Sequence, residues 1–116
     1  MGQLDGKVAI VTGGGSGIGK GIAKAFANEG CSVVIAARNV ERLEAAATEL
    51  SSNGATVIAI PTDITSEEQV IRLFAKTMDQ FGKLNVLVNN SGAFDGGPVE
   101  ELTMAQWQKV IDVNVT

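Results

Sequence analysis

The chain has 116 residues, 45% of them apolar, with 13 acidic and 9 basic side chains and a formal net charge of −4. That is length and apolar content for one domain with a buried core, which excludes a disordered segment. The scattered basic residues exclude a nucleic-acid surface, and the absence of histidine together with a single cysteine leaves no donor set for a transition-metal site and no internal disulfide.

The elements follow in chain order. Met1 to Gly6 is short and polar, and no apolar run reaches bilayer length, so a soluble cytoplasmic protein without a membrane partner is expected. Gly2 does not open a myristoylation site, because position 6 is Gly rather than Ser or Thr. The runs 7–12 (KVAIVT), 32–37 (SVVIAA), 56–60 (TVIAI) and 84–88 (LNVLV) are rich in Val and Ile without polar alternation, as strands covered on both faces are. Between them lie apolar stripes at helical spacing: Ile18, Ile22, Ala25 and Phe26; Val40, Leu43, Ala47 and Leu50; Val70, Leu73, Phe74 and Phe81. Asn39 is placed to cap the second helix, Ser66 with Gln69 and Thr103 with Gln106 fit capping boxes, and Gly30, Gly54 and Gly82 stand where helices should stop. Cys31 follows one of these stops and reads as a packing residue. A last helix is expected beyond Thr103, with Met104, Trp107 and Ile111 as its apolar stripe and Lys109 and Asp112 on a solvated face.

Strands separated by helices need right-handed crossovers, which yield a parallel sheet with helices on both faces. The expected fold is therefore α/β, a three-layer, Rossmann-like doubly wound parallel sheet spanning residues 1–116 as a single domain and stopping after the fourth strand and its helix. The fourth strand would then be an open edge inviting a homo-oligomer. In such sheets the ligand lies beyond the carboxyl ends of the strands, so 12–19, 37–39, 62–64 and 89–92 should converge on one rim.

The stretch TGGGSGIGKG (12–21) runs from the end of the first strand into the first helix, where free N–H groups and the helix dipole favour an anion. Gly14 to Gly21 fills G-x-x-x-x-G-K of a nucleotide hydrolase loop, but it puts Gly21 where a hydroxyl should meet Mg²⁺ and Lys20 after the helix has begun. The literal G-x-G-x-x-G pattern fails from Gly13 to Gly19. What fits is T-G-x-x-x-G-x-G on Thr12, Gly13, Gly17 and Gly19.

With Asp63-Ile64 after the third strand, NNSG at 89–92 after the fourth, and Asn114 near the end, this pattern resembles the nucleotide-binding half of the short-chain dehydrogenase/reductase family. The resemblance implies that Gly13, Gly17 and Gly19 line a pyrophosphate with Ser16 and Ile18 close by. Asp63 and Ile64 would flank the adenine, Asn90, Ser91 and Gly92 would border the adenosine side, and Asn114 would hold a water in a proton relay. Ser91 stands where the family usually has Ala. At the end of the second strand, where an acid would bind the ribose 2′-hydroxyl of NAD, the chain has Ala37 followed by Arg38 and Asn39. A guanidinium there suits a 2′-phosphate, so NADP is expected over NAD.

The family uses a Tyr, with a Lys and a Ser, for proton transfer on a carbonyl or alcohol substrate. This sequence contains no tyrosine, so it resembles the first half of a longer oxidoreductase, inactive by itself. A non-catalytic NADP-binding module is the alternative, and a hydrolase with a P-loop is more remote. The segment 94–99 (FDGGPV) follows the fourth strand and either touches substrate or forms an ordinary turn.

Overall fold

A computed structural model describes residues 5–15, 17–52 and 54–90, together with the backbone of 111–114. The elements run β1 (Val8–Thr12), α1 (Gly17–Asn28), β2 (Ser32–Ala37), α2 (Val40–Leu50), β3 (Val57–Pro61), α3 (Glu67–Phe81), β4 (Val86–Asn89) and β5 (Ile111–Asn114). All strands pair in parallel, in the order β3-β2-β1-β4-β5.

The runs without polar alternation become strands because each is covered twice. Ala9, Val11, Val33, Ile35, Val57, Val86 and Val88 face one apolar cluster with Ala23 and Ala27 of α1 and Leu43, Ala46 and Leu50 of α2. Val8, Ile10, Val34, Ala36, Ile60 and Leu87 face a second cluster with Val70, Leu73 and Phe74 of α3. Successive strand residues thus alternate between two buried layers, and the sheet is doubly wound as expected. Each fully buried Val, Leu or Ile contributes about 1.5–3 kcal/mol relative to exposure, so the two layers supply most of the driving force. Cys31 is 2% exposed at the edge of the first layer.

The helix ends follow their signals closely. Asn39 Oδ1 accepts the Arg42 N–H at 3.0 Å, and Ser66 Oγ accepts that of Gln69 at 3.3 Å. Gly82, at φ 78°, closes α3 by donating to the Met78 carbonyl. The second helix stops earlier than Gly54, at Leu50 with Ser51 as its cap.

One expectation fails at the end of the chain. Residues 111–114 form a strand paired with β4 from Val86↔Ile111 to Asn89↔Asn114, so Asn114 stands on β5 and not in a last helix. The sequence there, IDVN, holds two β-branched residues in alternation with polar ones, and the edge of β4 offers it a ready ladder. Among the described residues the sheet accordingly has five strands, with β4 interior and β5 beyond it. Met104, Trp107, Lys109 and the Thr103–Gln106 box lie outside the described residues. Among the described residues no helix is long and apolar enough to cross a membrane.

Candidate functional site

The chain leaves β1 towards β2 on one side and returns as β4 on the other, so the strand order reverses between β1 and β4. A crevice at the carboxyl ends of the strands belongs at such a reversal. Three hydrogen bonds donated by backbone N–H groups draw the expected segments into one rim there. Gly13 N–H donates to the Ala36 carbonyl at 2.7 Å, Thr62 N–H donates to that of Ala37 at 2.8 Å, and Asn90 N–H donates to Thr12 Oγ1 at 2.9 Å.

Thr12 occupies the centre. Its hydroxyl is fully buried, and besides accepting from Asn90 it donates to the Val88 carbonyl at 3.2 Å. One side chain at the end of β1 therefore fixes where β4 ends. At the opposite end of these strands Asn85 does the same work, since its side chain accepts from Val8 N–H and its own N–H donates to the Val8 carbonyl, both at 2.9 Å.

The glycine loop folds onto this junction. Gly13 has φ 68°, a conformation that costs a side chain and not a glycine. Gly19, one turn into the helix, is buried so tightly that an added methyl would strike the Gly13 carbonyl and come within 2.8 Å of Asn90 Nδ2. The same amide nitrogen would stand 3.0 Å from a methyl on Gly13. Both glycines thus make room for Asn90 and for a close turn of the backbone, and α1 begins directly above it.

The N-terminus of α1 is also electrostatically open. Helices α2 and α3 carry acids in their first turns, Glu41 in one and Glu67 and Glu68 in the other; α1 carries none. With no acid in its first turn to oppose one, the helix dipole leaves that end suited to an anion, and the tight glycine turn lets a diphosphate approach the backbone. Ile18 presents an apolar side chain, 65% exposed, beside it. The residues present therefore fit a dinucleotide. Lys20 is turned elsewhere, paired with Glu49 of α2 at 2.6 Å, and this contact holds the Glu49 carboxyl below its usual range. It does not sit where a hydrolase lysine would meet phosphates.

Across the rim, Arg38 is exposed one residue past β2. Asp63 lies in the turn after β3, where its Oδ1 accepts the hydroxyl of Thr65 at 2.6 Å and the Thr65 N–H at 2.9 Å. These two bonds, and to a smaller degree the charge of Arg38, hold the Asp63 carboxyl below its usual range. Ile64 is half-buried against the layer under α3. Asn39, expected beside the cofactor, uses its side-chain oxygen to cap α2. Ser16, Ser91, Gly92 and the segment 94–99 lie outside the described residues.

The family profile of short chain dehydrogenases matches residues 7–116. The chain belongs to the short-chain dehydrogenase family. It is 40% identical over 114 residues to a short chain dehydrogenase/reductase of Colletotrichum higginsianum, covering 97% of this chain and 42% of that protein. The L-sorbose reductase of Gluconobacter frateurii, solved with NADPH and L-sorbose, superposes with a TM-score of 0.74 at 42% identity, covering 79% of this chain and 35% of that one. A short-chain dehydrogenase/reductase of Burkholderia phymatum, solved with NAD, gives 0.75 at 38% identity over 79% and 33% of the two chains. This chain thus spans less than half the length of the relatives it matches.

Within this short-chain dehydrogenase half, the part of the rim that the sequence left unread is the support beneath it. Asn85 and the Gln69 side chain, which accepts the Asp63 N–H at 2.8 Å, were not singled out for these roles. For Gln69 a signal existed, because a capping-box amide has to bond something at the start of its helix. A cavity of about 170 Å³ lies between the last turns of α1 and α2, lined by Lys24, Ala27, Asn28, Glu49, Leu50 and Ser52. It is at the far end of the helices from the glycine loop and belongs to no part of the rim.

Proposed function

We propose that the chain is the cofactor-binding half of an NADP(H)-dependent short-chain oxidoreductase that interconverts a carbonyl and an alcohol. The observation that carries the cofactor preference is the end of β2. Ala37 stands where an acid would bind a ribose 2′-hydroxyl, and the exposed Arg38 follows it on the same rim as the glycine loop. An acid at that position would repel a 2′-phosphate, whereas a planar guanidinium accepts it in two directions. One solved relative is complexed with NADPH and another with NAD, so membership of the family leaves the choice open and this position is what supports NADP here.

In this reading Gly13, Gly17, Gly19, Ser16 and Ile18 receive the diphosphate. Asp63 and Ile64 border the adenine, and Thr12 with Asn90, Ser91 and Gly92 closes the adenosine side; Asn39 presents the first turn of α2 beside Arg38. When bound, the nicotinamide supplies or takes the hydride. The work of the chain's own residues is to anchor and orient it with backbone N–H groups and to keep α1 at a fixed height above Asn90. Proton transfer to the substrate needs a residue such as the family's Tyr, which does not occur in the 116 residues; Asn114 is the one residue here assigned to a proton relay. We place the working enzyme in the cytoplasm as a homo-oligomer, acting on a small molecule.

Calorimetric titration with NADP⁺ and NAD⁺ tests the preference. The native chain is expected to bind NADP⁺ about tenfold or more tightly than NAD⁺, as one desolvated charge-assisted contact allows. Ala37→Asp combined with Arg38→Ala should reverse that order. Undiminished NADP⁺ affinity in the double variant defeats the assignment.

A further inference from the structure

Arg38 and Asp63 face the same rim, and the arginine is near enough that its charge helps hold the Asp63 carboxyl below its usual range. Yet no ion pair joins them among the described residues. The reason is visible in the turn between β3 and α3. Asp63 Oδ1 is taken by both donors of Thr65, hydroxyl at 2.6 Å and N–H at 2.9 Å. The Asp63 backbone is held as well: its N–H donates to Gln69 Oε1 at 2.8 Å, and its carbonyl accepts Ser66 N–H at 3.0 Å. With Oδ1 holding both Thr65 donors, the Asp63 side chain is oriented towards its own turn, and among the described residues neither of its oxygens comes within ion-pair distance of Arg38.

We propose that Thr65 is a positioning residue for cofactor discrimination, which keeps the Asp63 carboxylate off Arg38 and so leaves the guanidinium free for a phosphate monoester on the cofactor ribose. The proposal rests on the NADP reading above. Without the Thr65 hydroxyl, the shorter of the two bonds on Oδ1, the Asp63 carboxylate would be held by the N–H bond alone and could turn to pair with Arg38 in a charge-assisted bond. Two effects would then act in one direction: the cation becomes occupied, and a negative charge moves towards the phosphate. Both effects act on the 2′-phosphate, whereas the adenine that Asp63 borders is common to the two cofactors, so the loss is larger for NADP than for NAD.

The test is calorimetric titration of the full chain and of Thr65→Val, Thr65→Ser and Arg38→Ala with NADP⁺ and with NAD⁺ at low ionic strength. Thr65 is exposed, so its replacement leaves the core intact. Thr65→Val should weaken NADP⁺ binding about fivefold, the effect of one net hydrogen bond, and leave NAD⁺ within about twofold. Thr65→Ser, which keeps the hydroxyl, should retain native affinity for both. If the native chain prefers NADP⁺ and Arg38→Ala abolishes the preference, but Thr65→Val weakens both cofactors equally or neither, the role of Thr65 is overturned while the cofactor reading stands. A native chain without preference for NADP⁺ overturns both.

Discussion

The same substitution made at two glycines of α1 should change stability in opposite directions. Alanine is favoured over glycine by about 1 kcal/mol inside a helix, chiefly because glycine loses more backbone entropy on folding. At Gly21 nothing lies within 4 Å of the position a methyl would take, so Gly21→Ala should stabilise the chain by up to about 1 kcal/mol. Gly19 gains the same propensity, but its methyl strikes the Gly13 carbonyl and crowds Asn90 Nδ2 at 2.8 Å. The obstacle cannot rotate away, because Gly13 is bonded to the Ala36 carbonyl at 2.7 Å and Asn90 to Thr12. Overpacking of this kind costs about 1–3 kcal/mol, and with backbone as the neighbour the upper part of that range applies. Gly19→Ala should therefore be destabilising by about 1–2 kcal/mol net, a difference of about 2–3 kcal/mol from Gly21→Ala. Urea denaturation of both variants reads this as midpoints displaced to either side of the native one with unchanged slopes. Calorimetry should also show NADP⁺ affinity reduced in Gly19→Ala and preserved in Gly21→Ala. A Gly19→Ala variant as stable as Gly21→Ala would refute the close approach of α1 to the loop.

Three further outcomes follow from the rim and the core. Thr12→Val keeps the shape of the side chain but leaves the Asn90 N–H without its acceptor, and should cost about 1–3 kcal/mol in denaturant unfolding, with Thr12→Ser recovering most of it. Lys20→Ala should leave cofactor affinity unchanged, since the ammonium is paired with Glu49; a large loss of nucleotide binding would restore the hydrolase reading. Burial pushes the Cys31 thiol up from 9.0 to about 11, so its native thiolate population at pH 8 should be about a hundredfold below that of an ordinary thiol, and labelling should be slow until the chain unfolds. Because the folded value is the raised one, its contribution to stability is fully present below about pH 9 and is lost as the pH climbs through about 11. Rapid labelling of the native chain at pH 8 would contradict this burial.

What could be read in advance, and what could not, divides along the range of the interaction. The runs at 7–12 and 32–37 announced strands because two-sided burial demands apolar residues at every position, a property of consecutive residues. The caps at Asn39 and Ser66 were equally local, each joining residues three apart. The glycine pattern placed the loop, yet what Gly19 accommodates is an amide on Asn90, beyond the end of a strand far along the chain, and no local pattern names that partner. The bridge through Thr12 has the same character, since its hydroxyl has two uses and both lie across the sheet. Residues 111–114 show the converse case. The helical reading of Ile111 and Asp112 rests on apolar period and on the Thr103–Gln106 capping box, and IDVN is too short to argue against it from within; pairing with β4 decides the strand at 111–114. At the site, therefore, the chemistry of Arg38 and Asp63 could be suspected from residue type, but their separation could not. Asp63 is satisfied within its own turn, by both donors of Thr65 on one carboxylate oxygen and by Gln69 on its backbone, and those bonds belong to residues that no pattern around Arg38 names.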